Sequence, residues 1–271
     1  MSAETAPPIR WSDAESYEPY IGRWSRLVAR EFVAWLGLPP GARWLETGCG
    51  TGPLTSEILR VANPGSVVAS DPSETYIAHA RSTVDDSRVA FAVGRAEALS
   101  ADDASVDAAV SGLVLNFVDD PSAALVEAVR VTRPGGVVGA YIWDYAGEMW
   151  SIRHFWDTAT LLDPVARRRH EGRRFASWMP DELAHRFRAA GLVDIELHPI
   201  DITTVYADFD DYWSPLLVNQ GSAPSYVATL QPEAVAALRE AIRRAMPVAP
   251  DGSISLPARA WAVRGTVPVS A

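Results

Sequence analysis

The spacing of apolar positions changes several times along the chain, and each change marks an element. Trp24, Leu27, Val28, Phe32, Trp35 and Leu36 recur at helical spacing over residues 24–36, and Gly37 with the Pro39-Pro40 pair ends that helix. Short apolar runs then alternate with amphipathic stretches. Runs at 42–47, 66–70, 88–93, 106–111 and 136–143 predict strands. Between them, 54–61, 72–83 and 121–131 predict helices. Asp71 is expected to cap the second with Pro72 as its first helical residue, and Asp120-Pro121 opens the third. Segment 136–143 is apolar almost throughout, as strands covered on both faces are. Such alternation predicts an α/β fold, a doubly wound and mostly parallel sheet with helices on both faces.

The rhythm breaks after Asp144. Residues 145–180 are rich in arginine and aromatics (Tyr145, Trp150, Phe155, Trp156, Phe175, Trp178) and predict an insertion packed over one end of the sheet. A helix at 180–190 closes on Gly191, and 193–205 alternates like a strand. Helix 232–245 is the clearest part of a mixed 206–250 segment, and 254–267 supplies a last strand, the seventh. Polar residues 1–16 predict a flexible tail. Residues 17–271 are expected to form one domain, with 145–180 and 206–250 as substrate-side insertions.

Composition narrows the class. With 271 residues and 48% hydrophobic content the chain can fill a large core, and no apolar run approaches the roughly 18 residues of a membrane span. The opening Met-Ser-Ala-Glu-Thr-Ala-Pro-Pro lacks a basic start and an apolar stretch, so a cytoplasmic protein without a membrane partner is expected. Cys49 is the single cysteine, which excludes an internal disulfide, and no metal site is expected. A net charge of −10 argues against nucleic-acid binding, which depends on neutralising phosphates. Arg167, Arg168, Arg169, Arg173 and Arg174 are a local exception, either a solvated helix face or a docking patch for an anionic substrate or partner.

The segment Leu45-Glu46-Thr47-Gly48-Cys49-Gly50-Thr51-Gly52 sits where the first strand ends and a helix begins. Closely spaced glycines there let the backbone turn sharply and approach a ligand without interference from Cβ atoms. Free N–H groups at the helix start favour a carboxylate or a nucleotide-like moiety. Asp71 lies 19 residues beyond Gly52 at the tip of the second strand, where a carboxylate can accept both ribose hydroxyls of a nucleoside. It can cap its helix as well.

These residues resemble a known family. Segment 45–52 is similar to motif I of class I S-adenosylmethionine-dependent methyltransferases, specifically the ubiquinone/menaquinone-biosynthesis-like, small-molecule branch. Asp71-Pro72-Ser73 resembles the ribose-binding acidic position, and Gly94-Arg95-Ala96-Glu97-Ala98-Leu99 the adenine-edge loop. Val106-Asp107-Ala108-Ala109-Val110-Ser111 and Arg133-Pro134-Gly135-Gly136 resemble the fourth-strand motif and the turn before strand five. The resemblance covers residues 17–144 well and the last strand loosely.

It implies S-adenosyl-L-methionine as cofactor. Glu46 would orient the glycine loop near the methionine amino group, and Gly48, Cys49, Gly50 and Gly52 would line the methionine and ribose portions. Asp71 would hold the ribose hydroxyls, Pro72 or Ser73 the adenine face, Ala96 and Glu97 its edge, and Ser111 the methionyl end. Tyr20 and Arg23 would close over the cofactor, Arg23 pairing with its carboxylate. Two departures stand out: Arg95 where the family carries aspartate, and Glu46-Thr47 where aspartate and a small apolar residue are commoner. Glu97 or a backbone carbonyl is the expected substitute at the adenine amino group.

Methyl transfer by in-line displacement needs a positioned nucleophile and exclusion of water more than a fixed triad. Ligands of open α/β sheets bind beyond the carboxyl ends of the strands. That rule places Asn116 and Phe117, and Asp144 and Tyr145, near the donor. His154, ten residues past Asp144, is the histidine best placed to act as general base, with Asp144 as its catalytic companion. Trp143, Trp150, Trp156 and Trp178 either line an apolar acceptor pocket or pack the insertion. A small organic acceptor, apolar or aromatic, is expected, with the chain as monomer or homodimer. A nicotinamide-dependent Rossmann oxidoreductase is the enzymatic alternative, but the third glycine comes one position early for its Gly-x-Gly-x-x-Gly loop. A non-catalytic protein that binds S-adenosylmethionine is the other.

Overall fold

The computed structural model describes residues 18–218 and 221–269, so the tail expected at 1–16 lies outside the described residues. In chain order the elements are α1 (Arg23–Leu36), β1 (Arg43–Thr47), α2 (Pro53–Glu57), β2 (Ser66–Asp71), α3 (Glu74–Thr83), β3 (Val89–Val93), β4 (Val106–Gly112), α4 (Pro121–Val131), β5 (Thr132–Trp143), α5 (Trp150–Leu162), α6 (Glu171–Arg174), α7 (Pro180–Ala189), β6 (Val193–Tyr206), α8 (Phe209–Trp213), α9 (Ser222–Val227), α10 (Pro232–Ala245) and β7 (Ile254–Thr266).

Seven strands form one sheet in the order β3-β2-β1-β4-β5-β7-β6. β1, β2, β3, β4 and β5 pair in parallel, and β7 runs antiparallel to β5. The doubly wound α/β reading therefore holds, with β7 as the reversed strand. The chain winds outward from β1 through β2 to β3, then crosses back to β4 and β5. The order reverses between β1 and β4. In such sheets a crevice opens at that point, outside the strands' carboxyl ends. Those ends are Thr47, paired with Ser70 of β2 and Ser111 of β4.

Three local expectations are corrected. The helix expected over 54–61 is α2 followed by a wider π turn, Ile58–Ala62. β5 begins at Thr132 rather than at 136. Asp71 is not the cap of α3, and Pro72 is not its first residue. Ser73 is the N-cap, its hydroxyl accepting the Tyr76 N–H at 3.3 Å, and the helix starts at Glu74. Asp71 has turned its carboxylate elsewhere, as shown below. Where nothing competes, capping is as expected: Asp120 accepts the N–H groups of Ser122 and Ala123, both at 3.0 Å, ahead of Pro121.

The chain divides into two compact units. One comprises Gly22–Trp143, Trp178–Asp201 and residues 259–269, and holds the parallel strands. Its core joins Leu125 of α4, Val138, Ala140 and Ile142 of β5, Leu183 and Phe187 of α7, and Val263 of β7. The other comprises residues 18–21, Asp144–Ser177 and Ile202–Ala258. Here Phe155 and Trp156 of α5 are fully buried, with Tyr226 of α9 at 6.2 and 5.5 Å from their rings. Ile242 of α10 is buried as completely. Aromatic packing supplies the core of this unit. Trp143 and Trp178 belong to the sheet unit, so only Trp150 and Trp156 of the four tryptophans lie in the aromatic one.

Candidate functional site: the glycine loop and the buried carboxylates

The loop from β1 to α2 runs through three left-handed glycines, Gly48, Gly50 and Gly52, with φ of 70°, 52° and 89°. L-residues with side chains rarely adopt that region. The three serve different ends. A Cβ on Gly48 would lie 2.4 Å from Val114, and one on Gly52 would lie 3.2 Å from Val84, so both let the chain pack on itself. A Cβ on Gly50 would meet nothing within 4 Å. Gly50 is the glycine that presents bare backbone to open space.

Backbone bonds fix this loop to β2. Gly48 and Cys49 donate their N–H groups to the Ser70 carbonyl at 2.7 and 2.9 Å. Asp71 completes the tie: one carboxylate oxygen accepts the Gly50 N–H at 3.0 Å, the other the Ser73 N–H at 2.9 Å. This is why Asp71 leaves the capping of α3 to Ser73. A carboxylate has about four lone-pair directions, so Asp71 keeps acceptor capacity for further donors. Burial raises its pKa, and the two N–H donors act against that shift.

Glu46 lies beneath the loop, 1% exposed, and accepts a hydrogen bond from the Thr55 hydroxyl. Burial, aided by the neighbouring Asp71, pushes its pKa up to about 8 against the Thr55 bond. Cys49 is buried too, and burial with Glu46 and Asp71 nearby raises its thiol far above the usual range. Such a thiol is no nucleophile. On the β4 side, Leu113 adopts φ 63° and its N–H bonds to the Tyr141 carbonyl at 2.8 Å. This bend brings Val114 over Gly48. Two residues on, the Asn116 amide has both polar atoms buried and without a hydrogen-bond partner. Orphaned groups of this kind are uncommon in a finished fold and call for a partner.

The remaining residues singled out from the sequence divide between the units. Ser111 is buried at the end of β4 and, with Thr47, Ala96 and Val114, lines a small pocket. Ala96 is buried, Pro72 exposed and Ser73 half-buried. Glu97 is held by Arg95 at 3.4 Å, and Arg95 by Asp119 at 2.8 Å. Arg23 opens α1 with its guanidinium 4.5 Å from the centre of the Trp24 ring.

Tyr20, Asp144 and His154 belong to the aromatic unit. Asp144 is buried with both carboxylate oxygens given to backbone, Gly147 N–H at 2.8 Å and Glu148 N–H at 3.1 Å. His154 stands on α5 with its ring 5.6 Å from Trp150. Burial lowers its pKa, Arg153 adds to this, and Asp157 opposes it. Neither side chain is hydrogen-bonded to the other among the described residues.

Sequence reasoning missed Glu171. It sits inside the arginine run read as a solvated face or a patch, yet it is 3% exposed and accepts the Trp156 indole N–H at 2.8 Å. Burial raises its pKa to about 7, while Trp156, Ser222 and Arg174 act the other way. The buried Tyr20 hydroxyl is raised by burial first and by Glu171 next. Its hydrogen-bonding neighbours Trp156 and Ser222 come from distant parts of the sequence, so no local signal marks Glu171. His170, uninformative in the sequence, caps α6 by accepting the Gly172 N–H at 3.0 Å.

Comparison with known proteins agrees with this geometry. The model of the methyltransferase domain family matches residues 45–139, the stretch from the glycine loop into β5. Over that stretch the chain is similar to S-adenosylmethionine-dependent methyltransferases. Among its relatives is the 2-methyl-6-phytyl-1,4-hydroquinone methyltransferase of Synechocystis, 29% identical across 68% of this chain and 57% of that protein. Another is a malonyl-[acyl-carrier protein] O-methyltransferase of Erwinia billingiae, 31% identical across 57% of this chain and 59% of that one. The chain spans between 32% and 59% of the length of the curated relatives it matches. A Haemonchus contortus phosphoethanolamine N-methyltransferase in complex with S-adenosyl-L-methionine superposes with a TM-score of 0.59 at 17% identity, over 94% of this chain and 57% of that one. At that identity the likeness is one of fold.

Proposed function

We propose that the chain transfers a methyl group from S-adenosyl-L-methionine to a small organic acceptor, apolar or aromatic, by in-line displacement. One observation carries the reading: at the point where the strand order reverses, a left-handed Gly50 faces open space while its N–H is held by a buried Asp71. The residues present fit an adenosyl amino acid. Asp71 has lone pairs to spare for ribose hydroxyls. Glu46 offers a carboxylate toward an amino group, and the Asn116 amide offers an unsatisfied donor and acceptor. Gly48, Cys49 and Gly52 shape the cradle around Gly50, while Ser111, Pro72, Ser73, Ala96 and Glu97 border the same crevice. Arg23 is the proposed partner of the carboxylate.

The bound cofactor supplies a methyl group already activated on sulfur. The chain's own part is to orient the acceptor, exclude water and, where the nucleophile carries a proton, remove it. Burial favours the neutral form of His154, which suits proton acceptance. Asp144, with both oxygens on backbone, is assigned to holding the turn ahead of α5 rather than to proton transfer. Tyr20 and segments 145–180 and 206–250 are assigned to the acceptor side. The hydroquinone acceptor named for the Synechocystis relative is of the expected chemical class.

Titration calorimetry tests the reading. S-adenosylmethionine should bind and NAD should not. Asp71→Ala should weaken binding about ten- to a hundredfold, the worth of one or two charge-assisted hydrogen bonds. Gly50→Val should abolish it with the fold intact, because its side chain fills the space a ligand needs. Undiminished affinity in both variants would overturn the site. A methyl-release assay against phenols, amines and quinols would then identify the acceptor.

A further inference from the structure

The proposed reaction gives no individual role to the arginines of the run singled out in the sequence. Arginines elsewhere are commonly neutralised: Arg43 pairs with Asp107 at 3.1 Å, Arg130 with Glu127 at 2.8 Å, Arg259 with Asp201 at 2.7 Å and Arg264 with Glu196 at 2.7 Å. Arg167, Arg168 and Arg173 are exposed and have no carboxylate partner among the described residues. Arg174 is exposed as well, resting over the Phe175 ring at 5.3 Å.

The two acids within residues 161–174 are engaged elsewhere, Glu171 in the interior and Asp163 by hydrogen bonds away from the arginines. Asp163 accepts the Tyr226 hydroxyl at 2.9 Å and the Val165 N–H at 2.8 Å, and Glu171 is buried on Trp156. Directly before the arginines, the end of α5 and the turn after it leave Leu161 86%, Leu162 53% and Val165 50% exposed. Exposed leucines beside uncompensated arginines, in a chain of net charge −10, form a local reversal of surface character.

We propose that residues 161–174 form a docking surface for an anionic lipid bilayer. Leu161 and Leu162 enter the headgroup layer, and Arg167, Arg168 and Arg173 meet lipid phosphates. No helix among the described residues is long and apolar enough to cross a membrane, but surface attachment needs only apolar side chains flanked by basic ones. A small soluble anion would leave the leucines without purpose. A folded acidic partner would need a pit to receive a side chain as proud as Leu161, whereas a headgroup layer yields to it. The negative charge of the rest of the chain opposes any other approach to such a surface and so fixes the orientation.

The full chain is tested by co-sedimentation with vesicles of phosphatidylcholine alone and with phosphatidylglycerol added. Binding should need the anionic lipid and fall as salt is raised. Charge reversal in Arg167→Glu/Arg168→Glu should lower partitioning roughly tenfold or more. Leu161→Ser/Leu162→Ser should lower it too while preserving the salt dependence. Unchanged thermal midpoints and S-adenosylmethionine affinity in both variants show that the fold is intact. No sedimentation of the wild-type chain with anionic vesicles would overturn the proposal. So would equal binding by the charge-reversed variant, or loss of binding to competing inorganic phosphate with the leucine variant unaffected, which marks a site for soluble anions.

Discussion

Asp71 and Glu171 are both buried carboxylates, and the two units hold them by different means. Asp71 is gripped by backbone, with one oxygen on the Gly50 N–H and the other on the Ser73 N–H. Glu171 is gripped by side chains: the Trp156 indole donates to it, and Ser222 and Arg174 favour its charged form. A backbone-held group is positioned by the loop's conformation, which glycine at 48, 50 and 52 permits. A side-chain-held group depends on tertiary packing and is lost when the packing loosens. The sheet unit is thus built to present a fixed polar geometry. The aromatic unit is built around its own core.

The largest effect should come from breaking that core. Trp156→Ala removes a fully buried indole and leaves the Glu171 carboxylate without its N–H donor. A large-to-small change of this kind costs about 3–5 kcal/mol, and the unpartnered carboxylate adds to it. Chemical denaturation should show the loss. Hydrogen exchange should localise it to α5, α9 and α10, with the β1–α2 loop still protected. Uniform loss of protection in both units would show that the side-chain-held region does not yield first.

Within the loop, Gly48 and Gly50 separate folding from binding. Gly48→Val would drive a side chain into Val114 at a φ of 70°, costing about 3 kcal/mol or more in stability. Gly50→Ala meets no neighbour, so its thermal midpoint should fall by the backbone strain alone, about 1–2 kcal/mol. Its affinity for S-adenosylmethionine should fall further than its stability. Equal stability loss in the two variants would dissolve the distinction between a packing glycine and a presenting one.

The same contrast explains what was legible. Strand and helix alternation, the caps at Gly37 and Asp120, and the glycine loop are local patterns, and the structure has them close to their expected places, the helix at 54–61 and the start of β5 excepted. Asp71 is the instructive exception. An Asp-Pro pair ahead of a helix is a strong capping signal, but a glycine N–H 21 residues earlier in the chain outbids the helix for the carboxylate. Glu171 lay hidden because Arg-Arg-Arg-His-Glu-Gly-Arg-Arg reads as solvated charge, and only tertiary packing turns one of its members inward. Asp144 sits beyond strand five as expected, but its oxygens were already committed to the turn that follows.

Glu46 gives a smaller effect with a defined pH signature. Its pKa rises from 4.5 when free to about 8 in the folded chain, so between those values the folded state holds a proton that the unfolded state releases. Stability from this residue should therefore decline as pH rises from about 4.5 to about 8 and level off above. Glu46→Gln should flatten that slope in denaturation curves taken across the range. If Glu46 faces the amino group of S-adenosylmethionine, binding near neutral pH should ionise it and release a proton. Calorimetry in buffers of different ionisation heat reads this directly. A heat independent of buffer would remove Glu46 from the cofactor's surroundings.

The smallest effect is expected at the position that departs most from the family. Arg95 stands where an aspartate is usual, and its guanidinium is bonded to Asp119 at 2.8 Å and to Glu97 at 3.4 Å. The Arg95 side chain is 59% exposed and that of Asp119 85%, so solvent screens the pair and little stability depends on it. The arginine's consequence is local: it holds Glu97, whose carboxylate also receives the Asp120 N–H at 3.5 Å. Arg95→Ala should leave the thermal midpoint unchanged within scatter and free Glu97 for another donor. If Glu97 has taken over recognition of the adenine amino group, Arg95→Ala should bind S-adenosylmethionine as well as the parent or slightly better, while Glu97→Ala binds severalfold more weakly. The reverse ranking would mean that Arg95 itself touches the cofactor, and that the sheet unit reads the adenine edge through a cation rather than a carboxylate.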